Sequence, residues 1–156
     1  MMAFTFDLED VCQALSACRR RGCSVMVLLD RRQAMGKSTR NMTQQVTALV
    51  ANGVSVRVKA GRDWKQADGA TFGRGMMHAK VLRADERIVI GSTNCTSNSQ
   101  TCVETAVEVQ LSPQGAVTWN RRFEKEWAGA CPFADALEHP RKSQGSRRSA
   151  TRSASS

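Results

Sequence analysis

Residues 77–94 read Met-His-Ala-Lys-Val-Leu-Arg-Ala-Asp-Glu-Arg-Ile-Val-Ile-Gly-Ser-Thr-Asn, and the fold is decided there. Met77 to Arg83 and Arg87 to Ile90 are β-compatible runs separated by Asp85-Glu86, which predicts two strands joined by a tight turn. Strand alternation sets His78 and Lys80 on one face, roughly 6.5–7 Å apart along it. A histidine and a lysine side by side on a sheet face make poor core residues. Taken alone, the triplet also admits polar residues of an edge strand that face solvent.

Upstream of this hairpin, Met1 to Phe6 is short, apolar and β-compatible. Asp7 is a candidate cap for a helix running to about Arg21, with Val11, Leu15 and Cys18 on one face and Gly22 as the stop. Cys23 to Leu29 is a continuous apolar run that suits a buried strand. Ser38 opens a second helix with Met42, Val46, Leu49 and Val50 as its stripe, and Gly53 ends it. Val54 to Lys59 alternates as a strand, and a polar, glycine-bearing loop follows from Ala60 to Gly75. Downstream, Val103 to Leu111 alternates again. Ser112-Pro113 starts a last helix that turns Val117, Phe123 and Trp127 to the core. This order predicts an α/β fold, a mixed β-sheet flanked by helices, with the domain spanning 1–133 and a basic Ser/Arg-rich disordered tail over 134–156.

A chain of 156 residues with 41% hydrophobic and 24% charged residues is one globular domain's worth. The formal charge is +9. Arg141, Lys142, Arg147, Arg148 and Arg152 lie in the tail with no acidic residue among them, so the body keeps only a small basic excess. The sign favours a polyanionic partner, nucleic acid or an anionic membrane surface. No stretch has the length of a membrane-spanning helix, and Asp7, Glu9 and Asp10 interrupt any signal-peptide pattern. The six cysteines include no C-x2-C pair, and neither histidine neighbours a cysteine doublet, which disfavours zinc. Cys12 and Cys18 read as core positions, and reduced thiols in an intracellular setting are the expectation.

Two other patterns carry less. Gly36-Lys37-Ser38-Thr39 sits between a strand and a helix, but Arg31 stands where a phosphate-binding loop needs its first glycine. Asn41-Met42-Thr43 and Asn94-Cys95-Thr96 match the glycosylation pattern, without consequence inside a cell.

The full pattern is His78-x-Lys80-x4-Asp85 followed by Gly91-Ser92-x-Asn94, and here the sequence resembles the phospholipase D superfamily. The resemblance covers nearly all of Met1 to Trp127 and is strongest to the single-motif branch of mitochondrial cardiolipin hydrolases and bacterial nucleases. It implies a phospholipase D-like half domain that hydrolyses a phosphodiester of cardiolipin or single-stranded nucleic acid. His78 would be the nucleophile forming a phosphohistidine, while Lys80 and Asn94 would hold the phosphate oxygens. Ser92 would support the site, Glu104 would bond the other histidine nitrogen, and Asp85 would serve the turn. No cofactor or metal is implied, and a mitochondrial address is a family association only.

The chain has two histidines, and His139 lies beside Pro140 at the edge of the tail. An imidazole bound to phosphorus cannot also protonate the leaving group, so a homodimer with two copies of His78 at one phosphate is expected. The sequence also departs from the pattern. It opens at what looks like the family's second strand, so an N-terminally truncated domain is expected. Asp85 and Gly91 are separated by five residues where six are usual, the segment from Gly91 to Glu104 looks one residue short, and Cys95 stands where relatives often carry an aromatic residue. These departures feed the alternative of a catalytically inactive module that binds anionic lipid or nucleic acid.

Overall fold

The computed structural model describes residues 1–36, 40–62, 64–65, 67, 71–73 and 75–139. Lys37, Ser38 and Thr39 of the loop-like pattern, the proposed helix start at Ser38, and the tail from Pro140 onward lie outside the described residues. In chain order the elements are β1 (Met2–Ala3), α1 (Glu9–Arg20), β2 (Met26–Asp30), α2 (Arg31–Ala34), α3 (Arg40–Ala51), β3 (Ser55–Lys59), β4 (Trp64–Lys65), β5 (Thr71–Gly73), β6 (Lys80–Ala84), β7 (Arg87–Gly91), a 3-10 turn (Ser97–Thr101), β8 (Ala106–Gln110), α4 (Pro113–Ala128), β9 (Cys131–Pro132) and α5 (Phe133–Glu138).

Seven strands form one mixed sheet in the order β8-β7-β6-β1-β2-β3-β9, while β4 and β5 pair separately within the 60–75 segment. β1, β2 and β3 run parallel; β6 joins β1 antiparallel, and β7 and β8 continue antiparallel. The central strand β2 is covered on both faces, which is why its sequence is continuously apolar and not alternating. On one face Val27 and Leu29 join Phe6, Met42, Val46, Leu49, Val56, Val58 and Phe133 in the larger core. On the other, Leu28 and Met2 meet Trp119, Phe123 and Trp127 of α4 in a smaller one. The α/β architecture expected from the element order is therefore the one observed.

Local differences have physical causes. Asp7 does not cap α1; the cap position is Leu8, and Asp7 accepts instead from the Ser97 backbone N–H at 2.8 Å. Val50 is 36% and Val117 is 42% exposed, each one step off its helix's inward stripe. Trp119 takes the inward place that Val117 was expected to fill. Cys12 is buried as expected, whereas Cys18 is only half-buried. The strand expected from Met77 begins only at Lys80, because the Met77 N–H is drawn to Asp30 Oδ2 at 2.9 Å and not into a ladder. The strand expected from Val103 begins only at Ala106, so Glu104 sits in the segment before it. Beyond β9 the chain continues as α5 to Glu138, with Phe133 and Ala136 1% exposed and three residues apart on one helix face.

Candidate active site

His78 lies two residues before β6, in the irregular segment that leads into it, and Lys80 is the first residue of that strand. The Lys80 Nζ stands 3.3 Å from Nδ1 and 3.3 Å from Nε2 of His78, and 3.3 Å from the His78 carbonyl oxygen. Burial lowers the Lys80 pKa from its ordinary value, and the negative charge of Glu104 works against that shift. The imidazole is exposed on one side and rests against Phe4 on another, with ring centroids 4.4 Å apart at an interplanar angle of 56°. Lys80 Nζ lies 5.2 Å from the centroid of the same Phe4 ring.

Leu82 pairs with Val89 and Val89 with Glu108, so the ladder sets these three on one face with Lys80. Glu104 lies before β8 and is linked to the site by its bond to Ser92 and by its charge acting on Lys80. Gly91 is where β7 and the approach to β8 come closest: a Cβ there would stand 2.4 Å from the Thr105 carbonyl oxygen. That contact lets the Ser92 N–H donate to Thr105 O at 2.9 Å, while the Thr105 N–H donates to Ser92 Oγ at 3.1 Å. The Ser92 hydroxyl donates to Glu104 Oε2. The carboxylate expected to bond the histidine thus bonds Ser92, and its charge reaches the His78–Lys80 pair through Lys80.

Asn94 is half-buried, and its Oδ1 is shielded from solvent without a hydrogen-bond partner among the described residues. A half-turn of the carboxamide exchanges acceptor for donor at that point, and an unpaired polar end costs about 1–3 kcal/mol. The next residue, Cys95, makes a parallel bridge to Phe6, and its carbonyl oxygen accepts from the Asp7 and Leu8 N–H groups at 2.8 and 3.2 Å. The Phe4–Leu8 segment therefore runs between the His78 and Asn94 segments. Burial raises the Cys95 thiol pKa.

Asp85 is not with these groups. It occupies the turn at the opposite end of β6 with φ of 52°, a left-handed conformation that a short polar side chain tolerates. His139 follows α5, its Nδ1 3.4 Å from the Asp135 carbonyl oxygen, at the β3–β9 side of the sheet.

Two residues were missed by sequence reasoning. Phe4 was read only as part of an apolar strand. Asp30 was read as the end of an apolar run, yet it is fully buried and its carboxylate joins two elements. Oδ1 accepts from the Arg32 and Gln33 N–H groups at 2.9 and 3.0 Å, capping α2, while Oδ2 accepts from Met77, next to His78. An acid closing an apolar strand just ahead of a helical turn was the available signal. Among the described residues no group of three or more metal-ligating side chains comes together, and no helix is long and apolar enough to cross a membrane.

Residues 1–127 match the family model described as cardiolipin synthase, phospholipase D-like domain. The crystal structure of Nuc, a phospholipase D family member from Salmonella typhimurium, superposes with a TM-score of 0.68 at 23% identity, covering 85% of this chain and 78% of that one. NucT from Helicobacter pylori gives 0.67 at 18% identity, covering 85% and 79%. No curated protein sequence matches. The family match spans the whole sheet apart from β9 and includes both halves of the histidine–lysine and glycine–serine–asparagine pattern, so the chain belongs to the phospholipase D-like family.

Proposed function

We propose that the chain is a phosphodiesterase in which His78 attacks phosphorus, with cardiolipin-type phospholipid or single-stranded nucleic acid as the diester. The observation that carries this reading is the His78–Lys80 pair, an ammonium 3.3 Å from both nitrogens of an exposed imidazole. A ring nitrogen donates its lone pair to phosphorus, the P–O bond to the leaving group breaks, and a phosphohistidine forms. Lys80 and Asn94 neutralise and hold the non-bridging oxygens. The neighbours' names, Nuc and NucT, and the family's description as cardiolipin synthase support the two substrate classes in turn.

The leaving oxygen needs a proton, and His139 is bonded elsewhere. The donor is the imidazolium of His78 in a second copy of the chain, which then takes a proton from water as that water attacks phosphorus and the P–N bond breaks. Uncovered apolar residues on the β7–β8 side support association: Ile90 is 47%, Val107 62% and Val109 42% exposed. The alternative, a binding module without turnover, draws on the Glu104 carboxylate bonding Ser92 where an orienting bond to His78 was expected.

Incubation with cardiolipin vesicles and with single-stranded DNA, each in EDTA, tests the reading. Wild type is expected to cleave at least one of them, and His78→Ala to cleave neither while keeping its circular dichroism and melting temperature. Retention of wild-type turnover by His78→Ala rejects the assignment.

A further inference from the structure

We propose that Phe4 is a positioning residue of this site, an aromatic platform that fixes the His78 ring and the Lys80 ammonium relative to each other. This rests on the reading of His78 and Lys80 as the reacting pair. Among the described residues the imidazole meets Lys80 and Phe4 and no carboxylate hydrogen-bonds it, while Glu104 accepts from Ser92. The orienting task that a carboxylate would perform therefore falls to the ring contact.

The placement of Phe4 is not a by-product of strand register. β1 pairs Ala3 with Lys80, and a continued ladder would set Phe4 opposite Ala79, on the other face from His78 and Lys80. Instead β1 stops at Ala3, the backbone bends at Phe4, and the ring swings onto both side chains, 4.4 Å from the imidazole centroid and 5.2 Å from Nζ. The electron-rich face of a phenyl ring attracts an ammonium at that range and stabilises a tilted aromatic neighbour. It does so without offering a hydrogen-bond acceptor that would compete with a phosphate oxygen for the lysine. Phe4 also shields Lys80 from water, in keeping with the burial that lowers the lysine's pKa.

Phe4→Leu removes the quadrupole and keeps most of the volume, while Phe4→Tyr keeps both. Two readouts separate positioning from packing: the kcat and KM split on a diester in EDTA, and the ring-proton shifts of His78 by NMR, identified by their absence in His78→Gln. Phe4→Leu is expected to fold, to lose the ring-current displacement of the His78 protons, and to lower kcat several-fold to about thirtyfold. KM should change less than about twofold, and Phe4→Tyr should restore both signals. Unchanged His78 shifts in Phe4→Leu, wild-type kcat despite displaced shifts, or equal losses in the Leu and Tyr variants would overturn the proposal. A rise in KM for single-stranded DNA at constant kcat would also overturn it, marking Phe4 as a base-stacking surface. Should wild type cleave no diester, the proposed function falls by itself, and Phe4 is judged by the His78 spectrum alone.

Discussion

Lys80 binds the site together at the scale of single residues, because it touches His78, faces Phe4 and feels the charge of Glu104. Its pKa is lowered by burial and raised in part by Glu104, so the ammonium deprotonates below the ordinary lysine value of 10.5. If that ammonium holds the phosphate, activity falls as pH rises through the lowered pKa. Glu104→Gln removes the charge that favours the cation, so the alkaline limb of the pH–rate profile is expected to move to lower pH; a limb that stays or moves upward would remove Glu104 from the site's electrostatics. His78, Lys80, Ser92 and Asn94 were legible as a pattern of residue types at fixed spacing. The hydrogen bond of Glu104 to Ser92 was not, because Glu104 lies outside β8 and alternation does not fix where a side chain in irregular backbone points. Phe4 was hidden for the same reason: its contact depends on a bend after a two-residue strand.

The strands and helices set where these groups stand. The segment bearing His78 is held from both ends, by the β6 ladder and by Asp30 at the end of β2. At Gly75 a Cβ would stand 2.0 Å from the Arg62 carbonyl oxygen, so the segment leaves the 60–75 region in backbone contact with its start. Asp30→Asn is informative because an amide can keep its oxygen on the α2 N–H groups only by turning its NH2 toward the Met77 N–H. The variant is expected to lose about 1–3 kcal/mol of stability, and its kcat to fall by up to about 100-fold through displacement of His78. Denaturant unfolding and steady-state kinetics check both numbers; a stable variant with unchanged kcat would show that the tether does not position the histidine. The periodic elements were legible because burial on one face writes itself into sequence, as in β3 and in the Met42–Val46–Leu49 stripe of α3. Helix α5 was not, since six residues with one buried phenylalanine and one buried alanine carry too little period to read.

As a whole molecule, the chain presents one site histidine and an uncovered apolar sheet side around Ile90, Val107 and Val109. Under the proposed mechanism, proton balance requires a shared site in a symmetric pair. Mixing His78→Ala with wild type under verified subunit exchange is expected to lower activity toward the square of the wild-type fraction; a linear fall, or full activity from a monomer in ultracentrifugation, would contradict sharing. The mixed sheet and its family were legible from residues 77–94 and their surroundings, whereas the second copy is a proposal that rests on proton balance. Every step rests on phosphorus becoming bonded to His78. Rapid mixing with bis(p-nitrophenyl) phosphate in EDTA, an alkaline quench and mass spectrometry of the peptide containing His78 should reveal a phosphoryl adduct there, one that acid removes and that His78→Ala lacks. Release of p-nitrophenol by wild type with no adduct on His78 at any time, or with the adduct on another residue, would contradict it.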